Sequence, residues 1–190
     1  PPQTLSLIPY EYVDAGKIAD AIHRVAENWI QENKIPEAIR RFLLRLPPRI
    51  AGTDEGQPLL RDGEEIVEGC IRIVKNMQDS TLCIQGPPGA GKTYTASHMI
   101  HALLADGKRV GITSNSHSAI MNVMRACFDE GGDRFPAIKA GGDENEPLYE
   151  QWEELQYVKN GSKAAADYEQ GLIGGTAWLF ANPLMEEKLD

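Results

Sequence analysis

Leu82-Cys83-Ile84-Gln85-Gly86-Pro87-Pro88-Gly89-Ala90-Gly91-Lys92-Thr93 runs from an apolar stretch through a glycine-rich turn into a helix-forming sequence. Thr81–Gln85 is short, apolar and partly β-branched, which predicts a buried strand. Gly86–Thr93 then fits the spacing G-x-x-x-x-G-K-[ST], directly after that strand and directly before a helix predicted over residues 91–106. Each residue type has a physical reason. A loop wrapped round a polyphosphate must bring several backbone N–H groups within hydrogen-bond distance. A side chain at Gly86, Gly89 or Gly91 would obstruct the wrap or forbid positive φ. Pro87 and Pro88 stiffen the loop. The helix that follows points its positive end at the phosphates, Lys92 adds a point charge near the β- and γ-phosphates, and the Thr93 hydroxyl can ligate Mg²⁺. Ala90 and Tyr94 complete the residues expected around the nucleotide.

Working outward, Gly107 stops the helix and Arg109-Val110-Gly111-Ile112-Thr113 reads as a second buried strand. Strand, loop, helix, strand is a βαβ unit, so the class is α/β with a parallel sheet. A further helix is predicted from about Ser116 to Phe128, Gly131-Gly132 punctuates the chain, and Pro136-Ala137-Ile138-Lys139 is a candidate strand. Residues 141–170 are acidic and helix-prone, with Trp152, Leu155 and Tyr157 as the expected buried side chains. They predict a helical excursion from the sheet before Leu172-Ile173 returns to strand-like composition. Upstream, residues 14–32 place Ile18, Ala21, Ile22, Val25, Trp29 and Ile30 at helical spacing. Pro36 opens a second helix that Pro47-Pro48 ends, residues 51–58 form a turn-rich linker, and a helix from about Gly63 to Met77 packs Ile66, Val67, Cys70, Ile71 and Val74. The expected division is a helical lobe and linker over 1–60, an α/β core over 61–140, a helical insertion over 141–171 and a return to the core over 172–190.

The chain has 190 residues, of which 42% are hydrophobic and 25% charged, enough for one globular core and too apolar for disorder. Its 18 Gly and 12 Pro show no period, which excludes collagen-like repeats. No segment approaches about eighteen consecutive apolar residues, so no membrane partner is expected. Cys70, Cys83 and Cys127 have no CxxC spacing, and a reduced, cytoplasmic compartment is the default. The chain begins Pro1-Pro2-Gln3 without Met or leader, and reads as a piece of something longer. The net charge of −9 argues against non-specific nucleic-acid binding. It is uneven, however: residues 81–128 carry 4 basic and 1 acidic groups, whereas residues 129–190 carry 5 and 14.

The loop alone does not say what the nucleotide is used for. No N/T-K-x-D segment is present for a GTPase, and 85 residues precede the loop where an adenylate-kinase-like enzyme would have almost none. A phosphotransferase on a small molecule would need an arginine-rich lid, and residues 129–190 offer only Arg134. A non-catalytic nucleotide-binding remnant is the other alternative. His98 and His101 read as structural, Glu32-x-Lys34 as a solvated pair, Trp152 and Tyr157 as core aromatics, and Asp143-Glu144-Asn145-Glu146 as a solvated loop.

Leu82–Thr93 resembles motif I of superfamily 1 helicases, often IQGPPGTGKT, with Ala90 where Thr is usual. Val110-Gly111-Ile112-Thr113-Ser114-Asn115-Ser116-His117-Ser118-Ala119-Ile120-Met121-Asn122 resembles motif Ia, and Gly174-Gly175-Thr176-Ala177-Trp178-Leu179-Phe180 resembles the stretch before the Walker B strand in bacterial proteins that fuse a RecB-like nuclease domain to such a helicase. The resemblance covers about residues 60–190. It implies a RecA-like P-loop NTPase sheet, ATP and Mg²⁺ as cofactors, Lys92 and Thr93 as catalytic, and Thr113, Ser114, Asn115, Ser116 and His117 on the backbone of a single-stranded nucleic acid, DNA ahead of RNA. It also implies a second RecA-like lobe and a nuclease domain as neighbours in one chain. Two departures stand out. The upstream Gln that reads adenine in the family has only Gln57 and Gln78 as counterparts, neither in the family's setting. No apolar run ends in Asp-Glu after Thr93; the family pattern would place that acid just beyond Asp190, so the fragment is expected to turn over little ATP.

Overall fold

The computed structural model describes residues 14–130 and 134–190; residues 1–13 of the expected N-terminal lobe and the Gly131-Gly132 punctuation lie outside them. Four strands, β1 (Val110–Thr113), β2 (Ala137–Ala140), β3 (Leu155–Val158) and β4 (Leu172–Gly175), form one all-parallel sheet in the order β1-β4-β2-β3. The helices are α1 (Gly16–Glu32), α2 (Glu37–Leu43), α3 (Ile66–Asn76), α4 (Lys92–Ala105), α5 (His117–Asp129), α6 (Leu148–Gln151), α7 (Gly161–Asp167) and α8 (Ala177–Phe180).

Alternation along the strands divides the core into two. Ala137, Leu155 and Leu172 face Ile120, Met124, Cys127 and Phe128 of α5, while Ile138, Val158 and Ile173 face Ala164 and Ala165 of α7, Tyr168 and Leu179. Both central strands, β2 and β4, are buried on both faces, as a sheet covered by helices on two sides requires. The helix layers press closely on β4 from both sides: a Cβ at Gly174 would stand 2.6 Å from Met124 Sδ, and one at Gly175 would stand 2.5 Å from Leu179 Cδ2.

Four sequence expectations change. Thr81–Gln85 is not a strand, and Cys83, Ile84 and Gln85 are exposed. A groove of about 510 Å³, lined by Met77, Asp79 and Ser80 on one side and Lys108–Gly111 on the other, separates the segment leading into this run from β1. Thr81–Gln85 accordingly pairs with no strand among the described residues. Second, β1 is an edge strand rather than a buried one, with Gly111 and Thr113 exposed. Third, the stretch read as a wholly helical excursion contains β3, which pairs with β2 in the register Ala137↔Leu155 to Ala140↔Val158. Fourth, the buried face of α3 is rotated: Ile66 is 61% exposed, whereas Gly69 and Ile73 are the buried residues of the helix, which packs against α4 and places Gly69 against Leu60 and Glu64. The helices expected over 14–32, 36–46, 91–106 and 116–128 appear as α1, α2, α4 and α5, although α1 buries no residue fully.

The cysteines report on this arrangement. Cys127 is buried and its thiol is pushed up to about 12 by desolvation, whereas Cys83 is exposed. Iodoacetamide at pH 8 should therefore alkylate Cys83 in the native protein and reach Cys127 only after unfolding, as read by peptide mass spectrometry. Protection of Cys83 would mean that residues 81–85 join the sheet after all.

Candidate functional site

Gly86–Gly91 enters α4 through two left-handed residues, Gly89 at φ +79° and Gly91 at φ +74°. L-residues with a Cβ rarely adopt this conformation, so glycine is required at both. Gly86 has a different reason: a Cβ there would press within 3.2 Å of Ala90 Cβ. Ala90 N donates to Pro87 O across the turn at 3.2 Å. Gly91 is the N-cap of α4 and supplies no side chain to its first turn, which leaves the N–H groups there available to an anion. The Lys92 ammonium folds back over the loop and donates to the carbonyls of Gly86 and Pro87, both at 2.7 Å. It thus stands inside the concavity, where a phosphate would take over from the carbonyls. Thr93 and Tyr94 are exposed beside it, Tyr94 by 56%.

Behind the loop a buried network fixes the first turn of α4. Ser97, fully buried, shares its one hydroxyl proton between Tyr94 O at 2.8 Å and Glu130 Oε1 at 3.2 Å, which ties the start of α4 to the end of α5. His98 lies 2.9 Å from Glu130 Oε2 through Nε2 and 2.8 Å from Tyr94 O through Nδ1, with its ring 4.2 Å from that of Tyr94. His101 meets the Cys127 carbonyl and packs edge-on to Phe135. Both histidines are structural, and no cluster of three metal-ligating side chains occurs among the described residues.

The residues expected on a strand backbone are used unevenly. Thr113 ends β1, opposite Gly175. Ser114 Oγ accepts from Ser116 N at 3.4 Å, and Ser116 caps α5 by accepting from Ala119 N at 3.4 Å, so both hydroxyls already hold the turn. Asn115 is exposed. His117 turns away from the other four towards Lys139, whose ammonium lies 2.9 Å from its Nδ1. Lys139 is fully buried on β2 and also donates to Ala140 O at 2.9 Å and Gly141 O at 2.6 Å, so its three donors are spent tying β2 to the following turn. Desolvation lowers its pKa to about 8. The pKa of His117 is lowered too, by burial first and by the neighbouring ammonium second.

His117 lines a cleft of about 300 Å³ at the carboxyl ends of β2, β3 and β4, together with Lys17, Lys159, Asn160, Thr176 and Trp178. The fold explains why it lies there. The connection after β2 leads to the α5 face of the sheet and that after β4 to the α7 face, and adjacent parallel strands whose connections diverge leave a crevice between them. None of residues 86–94 lines it. Of the cleft, sequence reasoning singled out His117 and placed Thr176 and Trp178 in a family-like stretch, but missed Lys17, Lys159 and Asn160, and with them the buried ammonium of Lys139 against His117. The available signal was the turn chemistry of Gly141-Gly142, directly after a candidate strand, and of Asn160-Gly161.

The remaining candidates are solvated or structural. Lys34 Nζ pairs with Glu32 Oε2 at 2.8 Å on the surface. Trp152 packs 4.8 Å from Phe128, and Tyr157 lies 5.4 Å from Tyr149. Arg134 is bound to Glu154 at 2.8 Å.

Over 54 residues, 28% of this chain, the sequence is 43% identical to the DNA replication ATP-dependent helicase/nuclease DNA2 of Saccharomyces cerevisiae. The likeness is to a helicase-related protein. The matched stretch spans 4% of that relative's length. No family model matches the chain, and no solved structure matches it significantly. The all-parallel sheet with helices on both faces is compatible with a Rossmann- or P-loop-like fold. No helix among the described residues is long and apolar enough to cross a membrane.

Proposed function

We propose that the chain is the ATP-binding N-terminal portion of an ATP-dependent nucleic-acid helicase, a RecA-like P-loop unit that acts on single-stranded nucleic acid, with DNA ahead of RNA. The observation that carries the reading is the loop itself: two left-handed glycines deliver the chain to the uncapped N-terminus of α4, and the Lys92 ammonium sits in the concavity on two backbone carbonyls. The DNA2 likeness supports a helicase-related role for it. The residues fit the β- and γ-phosphates of ATP, which Gly86–Gly91 and the first turn of α4 would bind through N–H groups and Lys92 through charge. Thr93 would hold Mg²⁺, which supplies neutralisation of phosphate charge when bound. Tyr94 would stand beside the nucleotide, and residues 113–117 would meet the strand backbone. A second RecA-like lobe and a nuclease domain would be neighbours of this unit in the whole protein.

The test is binding of a fluorescent ATP analogue with Mg²⁺, read by anisotropy. The chain should bind weakly, and Lys92→Ala should weaken it at least tenfold, about 1.4 kcal/mol. Binding that ignores the loss of Lys92 would leave the loop a relic. Turnover should be close to zero. Sustained ATPase stimulated by single-stranded DNA would show that the acid the family places after this stretch is supplied from within it.

A further inference from the structure

The cleft at the carboxyl ends of β2, β3 and β4 is chemically unlike the rest of this chain. The sequence carries 28 acidic side chains, yet no carboxylate among the described residues lines the cleft, whereas Lys17 and Lys159 flank it. Neither lysine has an ion-pair partner among the described residues, and beneath them lies the ammonium of Lys139, fully committed to carbonyls and His117. Asn160 and Thr176 also line the cleft; Asn160 Oδ1 already accepts from Ser162 N at 2.8 Å and Lys163 N at 3.1 Å as the cap of α7, which leaves its Nδ2 and the Thr176 hydroxyl as donors of the sort that hydrogen-bond phosphate oxygens. Trp178 gives the cleft an aromatic face, beside His117, Ser162, Leu179 and Asn182. Trp178 is 36% exposed, and its orientation is set by Nε1, which donates to Asp14 O at 2.8 Å.

That bond and a longer one from Arg24 to Ala181 O, at 3.4 Å, hold α1 against α8, so Lys17 reaches the cleft from a hundred residues before the next lining residue, His117. Helix α1 therefore forms one wall of the cleft.

We infer that this cleft takes one nucleotide of a single strand: Lys17 and Lys159 receive its phosphate, Asn160 and Thr176 hydrogen-bond the phosphate oxygens, and its base stacks on Trp178. The strand rather than a free phosphate is the fitting ligand, because a bare anion leaves the exposed indole without a partner while a nucleotide uses both walls. The inference rests on the helicase reading for the identity of the strand. It adds to that reading a docking point built from α1, the β3–α7 turn and α8, in place of one confined to residues 113–117.

The test titrates a fluorescein-labelled oligothymidylate into the chain at several salt concentrations. The double variant Lys17→Ala, Lys159→Ala should lose about tenfold or more in affinity at low salt, and the slope of log K against log salt should fall by about 0.7 for each phosphate no longer neutralised. Trp178→Phe keeps an aromatic ring for folding, and it should abolish most of the quenching of tryptophan fluorescence that the oligonucleotide causes in the parent. Unchanged affinity and slope in the double variant would overturn the inference, as would a parent chain that binds no oligonucleotide. Inorganic phosphate that displaces the oligonucleotide at equal concentration would assign the cleft to a free anion and overturn it as well. Binding of the ATP analogue is measured on the same variants. Its loss in Lys92→Ala alone, with oligonucleotide binding intact, belongs to the loop, and failure of the cleft leaves that result untouched.

Discussion

Gly171→Ala should destabilise the protein by about 3 kcal/mol or more, a large share of a small domain's stability. Gly171 leads into β4 at φ +76°, and a Cβ there would stand 2.1 Å from the carbonyl oxygen of Pro136. That oxygen cannot retreat, because it accepts from Leu172 N at 3.0 Å in the link between β2 and β4. Gly171 O is equally committed, to Val110 N at 2.9 Å and the Tyr168 hydroxyl at 2.8 Å. The substitution therefore adds a backbone collision at the junction of three strands to the roughly 1–2 kcal/mol of a left-handed L-residue. Gly52→Ala is the control, since φ is +75° there and a Cβ would meet nothing within 4 Å. Urea unfolding should show a much lower midpoint for Gly171→Ala than for Gly52→Ala, with a similar slope. Equal midpoints would mean that the strand junction yields.

The second large effect is a dependence on pH set by Lys139. Its pKa is lowered from 10.5 to about 8 in the folded protein, so between those values the unfolded chain binds more protons than the folded one. Stability must then rise with pH through that window, by up to about 3 kcal/mol once the lysine is neutral in both states. Tyr149 and Tyr168, held up to about 12 by burial, act in the opposite direction once the unfolded phenols ionise above about pH 10. Their contribution is common to the parent and to Lys139→Met, so the difference between the two proteins isolates the lysine. Chemical unfolding from pH 7 to 10 should show the parent gaining on the variant steadily. A constant difference would mean that the carbonyls of Ala140 and Gly141 hold the ammonium charged throughout.

What was legible in the sequence is what local chemistry decides. The loop at Gly86–Thr93 could be read because its glycines answer to backbone angles and close approaches within eight residues. Helices α4 and α5 could be read from their period and from Gly107 and Ser116 at their ends, and β1, β2 and β4 from short apolar runs. Strand β3 was not legible: Leu155-Gln156-Tyr157-Val158 lies in an acidic stretch of helix-forming residues, and its conformation is decided by β2 lying alongside. The same dependence worked in reverse at Thr81–Gln85, whose composition is that of a strand but which pairs with no strand among the described residues. Lys139 sat inside a strand prediction with nothing to mark it, because its partner His117 is 22 positions away. The cleft escaped for the same reason: it draws one or two residues from each of several loops and from α1, which no spacing rule connects.

The outer edge of β1 has a consequence for how the chain behaves among its own copies. Outward-facing N–H and C=O groups of Val110–Thr113 meet no strand among the described residues, apart from the one bond just before them, from Asp190 N to Arg109 O. An open parallel edge is a template that a second molecule can extend. The net charge of −9 works against that encounter at long range, and dissolved salt shortens the reach of the repulsion to about 8 Å at physiological ionic strength. For these 190 residues in solution, an unfilled hydrogen-bonding edge is thus opposed by a surface of like charge, and high concentration with added salt should favour association.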